Sequence, residues 1–112
     1  MTLLYWHIGK RIKEEVLKFE RADYGEQLII SLAKALTEQY GKGFSKTSLF
    51  DMANLYEAYS DYKIFLTLSG KLSWSHFREL LPIKEPLKRE FYTELSRIEY
   101  WSVRTLREKI GK

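Results

Sequence analysis

Residues 28–59 read LIISLAKALTEQYGKGFSKTSLFDMANLYEAY and contain two helical patterns separated by a short glycine turn. Apolar residues recur at helical spacing as far as Tyr40, and Gly41 then supplies a stop. After the turn Gly41–Phe44, Ser45 is a typical N-cap for the second helix. The inward positions of that helix are Leu49, Met52, Ala53, Tyr56 and Tyr59. The stretch therefore predicts a helix-turn-helix at about residues 28–59.

A helix-turn-helix presents the first turn of its second helix to nucleic acid. That helix lies in the major groove, where its first residues meet base edges and phosphates. The polar candidates are Lys42 in the glycine turn, Lys46, Thr47 and Ser48 at the helix start, and Asn54 farther along. Lysine, serine and threonine bind phosphates or bases, and asparagine pairs with adenine. The alternative is a helical hairpin whose polar turn only faces water. The spacing of the residues fits both structures, so this alternative stays open.

The remaining sequence also favours helices. Leucine occurs 16 times and valine twice, and no Asn-Gly or Asp-Gly hairpin signal is present. Further helices are predicted over Leu3–Phe19, after an N-cap at Asp23, after Ser73, over Pro86–Arg97 and after Ser102, with a helical turn in residues 61–70. The sequence thus predicts an all-α fold, a compact bundle of six or seven short helices forming a single domain over residues 1–112.

Each predicted helix has an apolar face that is expected to point toward the core. In the first helix this face contains Leu4, Ile8, Ile12, Val16 and Phe19. In the helix after Ser73 it contains Trp74, Phe77, Leu80 and Leu81, with His76, Arg78 and Glu79 more outward. In the helix that begins at Pro86 it contains Leu87, Phe91 and Leu95.

The composition excludes several classes of protein. The chain has 112 residues and no cysteine, so disulfide scaffolds, thiolate metal sites and cysteine nucleophiles are excluded. No apolar run approaches the roughly 20 residues that a membrane span needs. The first ten residues lack the basic leader and long apolar stretch of a signal peptide, so a cytoplasmic protein without a membrane partner is expected.

The positive charge is concentrated in the last part of the chain. Residues 1–70 hold nine basic and nine acidic side chains, whereas residues 71–112 hold ten basic and six acidic ones. The whole excess of +4 therefore lies in a basic helical region at about residues 71–112. Its candidate phosphate contacts are Arg78, Lys84, Lys88, Arg89, Arg104 and Arg107. A solvated helical surface with a few spare lysines is the alternative.

The sequence favours no catalytic or metal centre. His7 and His76 are the two histidines, and neither has a second histidine or a carboxylate at a ligand spacing. Asp51 followed by Asp61-Tyr62-Lys63 resembles the acidic triplet of a metal-dependent nuclease, but it lies between predicted helices without a strand to present it. We therefore expect no catalytic residue, no metal and no cofactor in this chain.

Two sets of aromatic residues bear on binding. Trp6, Trp74 and Trp101 could stack on unpaired bases, although their spacing among leucines and isoleucines favours the core. Phe50 lies off the apolar stripe of its helix, so it is expected to be exposed and to mark a partner surface.

Six short motifs are similar to those of a known family. They are YWHIGK (residues 5–10), YGKGFS (40–45), LSWSHF (72–77), IKEP (83–86), REFY (89–92) and WSVRTL (101–106). Together they resemble the N-terminal domain of the YhcG-like PD-(D/E)XK nuclease family. The resemblance covers essentially the whole chain. It implies a helical, DNA-binding module that precedes a separate nuclease domain, and no catalytic residue of that later domain has a counterpart here.

Two functional hypotheses follow. In the first, the chain binds nucleic acid, duplex or branched DNA, through the turn at Lys46 and the basic C-terminal helices, and a nuclease domain acts in cis or in trans. In the second, it is a protein-protein interaction or dimerisation module that positions a nuclease domain, through its amphipathic first helix and Phe50. The two are compatible, since helix-turn-helix proteins often bind as dimers.

Overall fold

The computed structural model describes residues 2–19 and 22–111, without the side chains of residues 16–19 and 22–24. Within these ranges the chain is all-α, as the sequence predicts. The helices are α1 (Thr2–Phe19), α2 (Ala22–Tyr40), α3 (Lys46–Ala58), α4 (Tyr62–Ser69), α5 (Trp74–Leu80), α6 (Pro86–Ile98) and α7 (Val103–Ile110). Among the described residues, no helix is both long and apolar enough to cross a bilayer.

The chain divides into two compact units that contain different helices. Residues 4–57 form one unit and contain nearly all of α1, α2 and α3. Residues 58–112 form the other, together with residues 1–3, and contain α4 to α7. The candidate turn at Lys46 therefore belongs to the first unit, and the basic region from residue 71 belongs to the second.

The buried face of helix α1 overlaps the predicted one only in part. Leu4 is exposed, whereas Tyr5, Trp6, Gly9 and Ile12 are buried. A Cβ atom placed on Gly9 would lie 1.9 Å from the carbonyl oxygen of Met52. The missing side chain thus lets α1 approach the backbone of α3, and the face that carries Gly9 becomes the contact face.

Of the other predicted positions on this apolar stripe, two have described side chains and two do not. Ile8 is half-buried and Ile12 is buried, but the predicted positions Val16 and Phe19 lie outside the described side chains. Tyr5 and Trp6 replace Leu4 as buried residues because an aromatic ring removes more apolar area from water than a leucine does.

The stretch that links α2 and α3 has the predicted local structure. Gly41, at φ +83°, ends α2, and its N–H donates to the Thr37 carbonyl at 2.9 Å. Ser45 caps α3, since its Oγ accepts from the Ser48 N–H at 3.2 Å. At the other end of α2 the predicted N-cap is wrong: the helix already includes Ala22, so Asp23 lies inside its first turn.

The core of the second unit is built around aromatic rings. The rings of Phe65 and Phe77 are 5.2 Å apart between centroids, and Tyr59 packs on Phe77 at the same distance. Phe65 lies on α4, which is a complete eight-residue helix rather than the predicted single turn. Its N-cap is Asp61, whose Oδ1 accepts from the Ile64 N–H at 3.1 Å.

Helix α5 begins with a capping box that also ties down the segment before α7. Ser73 caps the helix, and its own N–H donates to His76 Nδ1 at 3.1 Å. His76 Nε2 is then the protonated nitrogen and donates to the Trp101 carbonyl at 2.8 Å. His76 is more exposed than Phe77 and Leu80, as predicted, but its ring is half-buried and bonds to two segments of backbone.

Helix α6 contradicts the predicted apolar face most clearly. Leu87 is 80% exposed and Phe91 is 58% exposed, while Thr93 and Ser96 are buried. The third predicted position, Leu95, is half-buried. The hydroxyls of Thr93 and Ser96 donate to the carbonyls of Arg89 and Tyr92, each at 2.7 Å. Because these hydroxyls are satisfied within their own helix, they are buried at little cost, and their small size allows close packing.

Helix α6 ends in a conformation that usually requires glycine. Tyr100 has φ +55°, and the Trp101 N–H donates to the Ser96 carbonyl at 3.2 Å, which is the Schellman arrangement. A residue with a Cβ in the left-handed region costs about 1 kcal/mol or more relative to glycine. Ser102 then caps α7, accepting from the Thr105 N–H at 3.1 Å, and Gly111 ends that helix.

Candidate nucleic-acid interface

The glycine turn exposes the first group of candidate residues. Gly41 and Gly43 both have positive φ, at +83° and +106°, which only glycine adopts without strain. Lys42 lies between them and is exposed, as are Lys46 and Thr47 at the start of α3. The first backbone N–H groups of a helix have no partner within it, so this start favours an anion.

The lysine at the start of α3 already has two neighbours. Lys46 Nζ lies 3.0 Å from Glu26 Oε1 and 5.9 Å from the centroid of the Phe50 ring. Both members of the ion pair are about half exposed, so the pair contributes little to stability and can exchange for a phosphate. Phe50 is 39% exposed, which agrees with its prediction as a surface residue.

Two other candidates of α3 are not part of its first exposed turn. Ser48 is buried, and its Oγ accepts from Ser45 Oγ at 3.2 Å. Asn54 is exposed and lines a groove of about 390 Å³ in the first unit, together with Phe50, Glu26 and Ile29. The structure therefore brings Lys42, Lys46 and Thr47 to one turn and leaves Ser48 beneath it.

In the second unit, two of the predicted arginines donate hydrogen bonds to residues of other segments. Arg107 Nε and Nη2 donate to Glu79 Oε1 at 2.9 and 2.8 Å, so α7 is joined to α5. The hydrogen bond and the negative charge of Glu79 raise the pKa of Arg107. Arg89 Nη1 donates to the Ile83 carbonyl at 2.9 Å, and its guanidinium lies 6.0 Å from the Tyr59 ring.

The other basic candidates extend into solvent. Lys84 and Lys88 are exposed on either side of Pro86, the first residue of α6. Arg104, on α7, has an 89% exposed side chain, and its Nε lies 3.5 Å from Glu108 Oε1. Helix α7 packs against both α5 and α6, so these three cations lie on neighbouring elements of one unit. Arg78 is also exposed, with its guanidinium 5.4 Å from the Trp74 ring.

The tryptophans considered for base stacking differ in exposure. Trp6 is buried and belongs to the core of the first unit. Trp74 and Trp101 are half-buried, and each has a cation over its ring: Arg78 over Trp74, and Lys109 over Trp101 at 5.8 Å. Another contact between a cation and an aromatic ring was not predicted: Lys71 Nζ lies 4.9 Å from the centroid of the Tyr100 ring.

The acidic triplet considered for metal binding has another role. Asp61 uses its carboxylate to cap α4, as described above. In the part of the chain that the structure describes, no group of three histidine or carboxylate side chains is placed to hold a metal ion.

A groove of about 450 Å³ in the second unit is lined in part by a half-buried tyrosine, Tyr59. Asp61, Glu90 and Glu94 contribute carboxylates to its lining, together with Arg89. Tyr59 and Thr93 face the same groove, and their hydroxyl oxygens are 2.8 Å apart. Because the Thr93 hydroxyl donates to the Arg89 carbonyl, the Tyr59 hydroxyl is the donor between the two. Burial raises the pKa of Tyr59, against the opposing effects of Thr93 and Arg89.

We expect the loss of stability caused by Tyr59→Phe to depend on pH. The folded state holds the Tyr59 proton more tightly than the unfolded state, so the resulting stability is complete below pH 10.0 and is lost as the pH rises through the higher folded pKa. The variant should lose about 1 kcal/mol at neutral pH, because it lacks the hydrogen bond. Urea unfolding of both proteins should show this difference shrinking above pH 10. A difference that stays constant into strong alkali would contradict the assignment.

Comparisons with known proteins cover the whole sequence. A family model described as the DUF1016 N-terminal domain matches residues 1–112. The Escherichia coli (strain K12) protein named "Putative nuclease YhcG" is 32% identical over 141 aligned positions. That alignment includes 99% of this chain and 38% of the relative, so the chain spans well under half of the relative's length. No solved structure matches the chain.

Proposed function

Because this chain belongs to the DUF1016 N-terminal domain family, we propose that it is a DNA-binding module that works with a nuclease domain. The family assignment confirms the resemblance drawn from the six sequence motifs. The relative named as a nuclease has most of its length outside the aligned part. We place the nuclease chemistry there, in cis or in trans, and assign no catalytic residue to these 112 positions.

The observation that carries the proposal is the group of exposed cations on the second unit. Lys84, Lys88 and Arg104 are exposed on α6 and α7 or next to them, within the region that holds the whole positive excess. Phosphate neutralisation by such side chains releases counterions from DNA and supplies most of the binding that does not depend on sequence. Arg89 and Arg107 lie in the same region, but their guanidinium groups are held by the Ile83 carbonyl and the Glu79 carboxylate, so we do not count them among the primary phosphate contacts.

The turn between α2 and α3 supplies the second part of the proposal. Lys42, Lys46 and Thr47 are exposed at or just before the start of a helix of 13 residues. A cation beside the free backbone N–H groups of a helix start favours the binding of a phosphate. In our proposal α3 acts as the recognition helix of a helix-turn-helix, and its first turn contacts the duplex. Ser48 is excluded from these contacts by burial. Asn54 contributes only through the groove that it lines.

A second candidate function rests on the exposed apolar side of α6. Leu87, Phe91 and Ile98 are all exposed, at spacings of four and seven residues that put them on one face of the helix. Such a face is typical of protein contacts. It favours an interaction or dimerisation module, although through α6 rather than through the first helix and Phe50.

Backbone amide NMR separates the two functions in one experiment. On titration with a short DNA duplex, we expect shifts at Lys84, Lys88 and Arg104 and in the turn at Lys46. For the interaction module, raising the protein concentration without DNA should instead shift residues around Leu87, Phe91 and Ile98. Amides that do not respond to the duplex would contradict DNA binding.

A further inference from the structure

Tyr100 has a strained backbone conformation, and packing of its side chain does not account for it. It is the left-handed residue after α6, at φ +55°, where glycine has no steric cost. A strained residue is normally held in place by the burial of its side chain. The Tyr100 side chain is instead 75% exposed, so burial in the fold does not account for an aromatic ring at this position.

The ring is accompanied by a cation, and so is the next ring along the chain. Lys71 Nζ lies 4.9 Å from the Tyr100 centroid and 3.4 Å from its hydroxyl oxygen. Lys109 Nζ lies 5.8 Å from the centroid of Trp101. Two consecutive aromatic residues therefore each pair with a lysine that comes from a different segment of the second unit.

The backbone that carries the two rings is fixed on both sides. The Trp101 N–H donates to the Ser96 carbonyl, and the Trp101 carbonyl accepts from His76 Nε2 at 2.8 Å. Ser102, the next residue, is the N-cap of α7. The rings are therefore presented by a short segment held between two helices, which reduces the entropy lost when a ligand is ordered against them.

We propose that Tyr100, with Lys71, Trp101 and Lys109, forms a platform for an unpaired base of a DNA strand. This inference rests on the proposed DNA-binding function and specifies its target: single-stranded nucleotides at an end or branch of the duplex. A base stacks on an exposed aromatic ring, and the lysines over the rings exchange to the phosphates on either side of it. With Tyr100 in this left-handed conformation its ring is exposed, where a base can reach it.

The test compares two DNA tails of equal charge. One probe is a labelled duplex with a short thymidine tail, and the other carries an abasic tail of the same length, with the same phosphates and no bases. By fluorescence anisotropy at low salt, we expect the chain to bind the thymidine tail about 10-fold more tightly, which is the gain typical of one stacked base.

Two substitutions at the same position make the test specific. Tyr100→Gly should abolish the preference for the thymidine tail while the protein stays folded, because glycine is favoured at this φ. Tyr100→Phe keeps the ring and should keep the preference. Both variants should bind a blunt duplex as the unaltered chain does.

The outcomes separate the platform from the proposed function. Equal binding of the two tails by the unaltered chain, or a preference that survives in Tyr100→Gly, would overturn the platform and leave duplex binding intact. A chain that binds neither the blunt duplex nor either tail would overturn DNA binding and the platform with it.

Discussion

Gly9→Ala is expected to lower the free energy of unfolding by about 3 kcal/mol, because it inserts a methyl group where α1 meets the backbone of α3. The added Cβ would lie 1.9 Å from the Met52 carbonyl oxygen and 2.6 Å from its carbonyl carbon. These are backbone atoms, so no change of rotamer relieves the contact. The two helices must separate, and the packing of Trp6 and Leu49 in the same unit is lost with them.

A glycine elsewhere provides the matched control. Gly70, at the end of α4, has φ −75°, and a Cβ there would meet the Thr67 carbonyl oxygen at 3.5 Å, an ordinary contact. Gly70→Ala should therefore leave stability unchanged or raise it by up to about 1 kcal/mol. Urea unfolding followed by tryptophan fluorescence compares the two variants. Equal stabilities would show that α1 does not approach α3 at Gly9.

Reversal of three exposed cations is expected to weaken binding to duplex DNA by about 100-fold at low salt. The variant combines Lys84→Glu, Lys88→Glu and Arg104→Glu, which replaces three phosphate contacts with three repulsions. Each of these side chains is exposed, so the fold should survive the change, and circular dichroism can check that it does. The loss should be similar for different DNA sequences, because phosphates carry no sequence information.

The control variant changes the net charge by the same amount at other positions. Lys10→Glu, Lys34→Glu and Lys63→Glu together reverse three exposed lysines that are outside the proposed surface. We expect this variant to lose less than about 10-fold, through the general field of the protein alone. Equal losses in the two triple variants would show that binding follows total charge and not the surface on α6 and α7.

The elements that the sequence predicted correctly depend on local chemistry. Ser45, Ser73 and Ser102 each cap the helix that follows, and Gly41 ends the helix before it. These interactions join residues within four positions of each other, so the local sequence determines them. The all-α class follows from the same signals summed along the chain.

The buried faces of α1 and α6 were predicted only in part, because they depend on residues that a hydrophobic pattern ignores. Gly9 carries no apolar side chain, yet its lack of a Cβ sets the face of α1 that meets α3. Thr93 and Ser96 count as polar, yet each satisfies its hydroxyl within α6 and is buried. In both helices a small residue helps to set the buried face, and a search for small residues at helical spacing would have found Gly9, Thr93 and Ser96.

The candidate site was predictable as a list of cations but not as a surface. The sequence identifies Arg89 and Arg107 as basic, but the Ile83 carbonyl and the Glu79 carboxylate that hold them are determined by tertiary packing. Tyr100 gave no signal at all, because glycine is the residue expected at a left-handed helix end. Its contact with Lys71 is between residues 29 positions apart, so the local sequence does not reveal it.

The most direct test of the central claim, that this chain binds DNA through exposed cations, is a salt titration of its affinity for a blunt duplex. The logarithm of the association constant should fall linearly with the logarithm of the salt concentration. The slope should be about −3 or steeper, since each neutralised phosphate contributes about −0.9 and at least Lys84, Lys88 and Arg104 take part. Absence of binding at the lowest salt, or an affinity that does not change with salt, would contradict the claim.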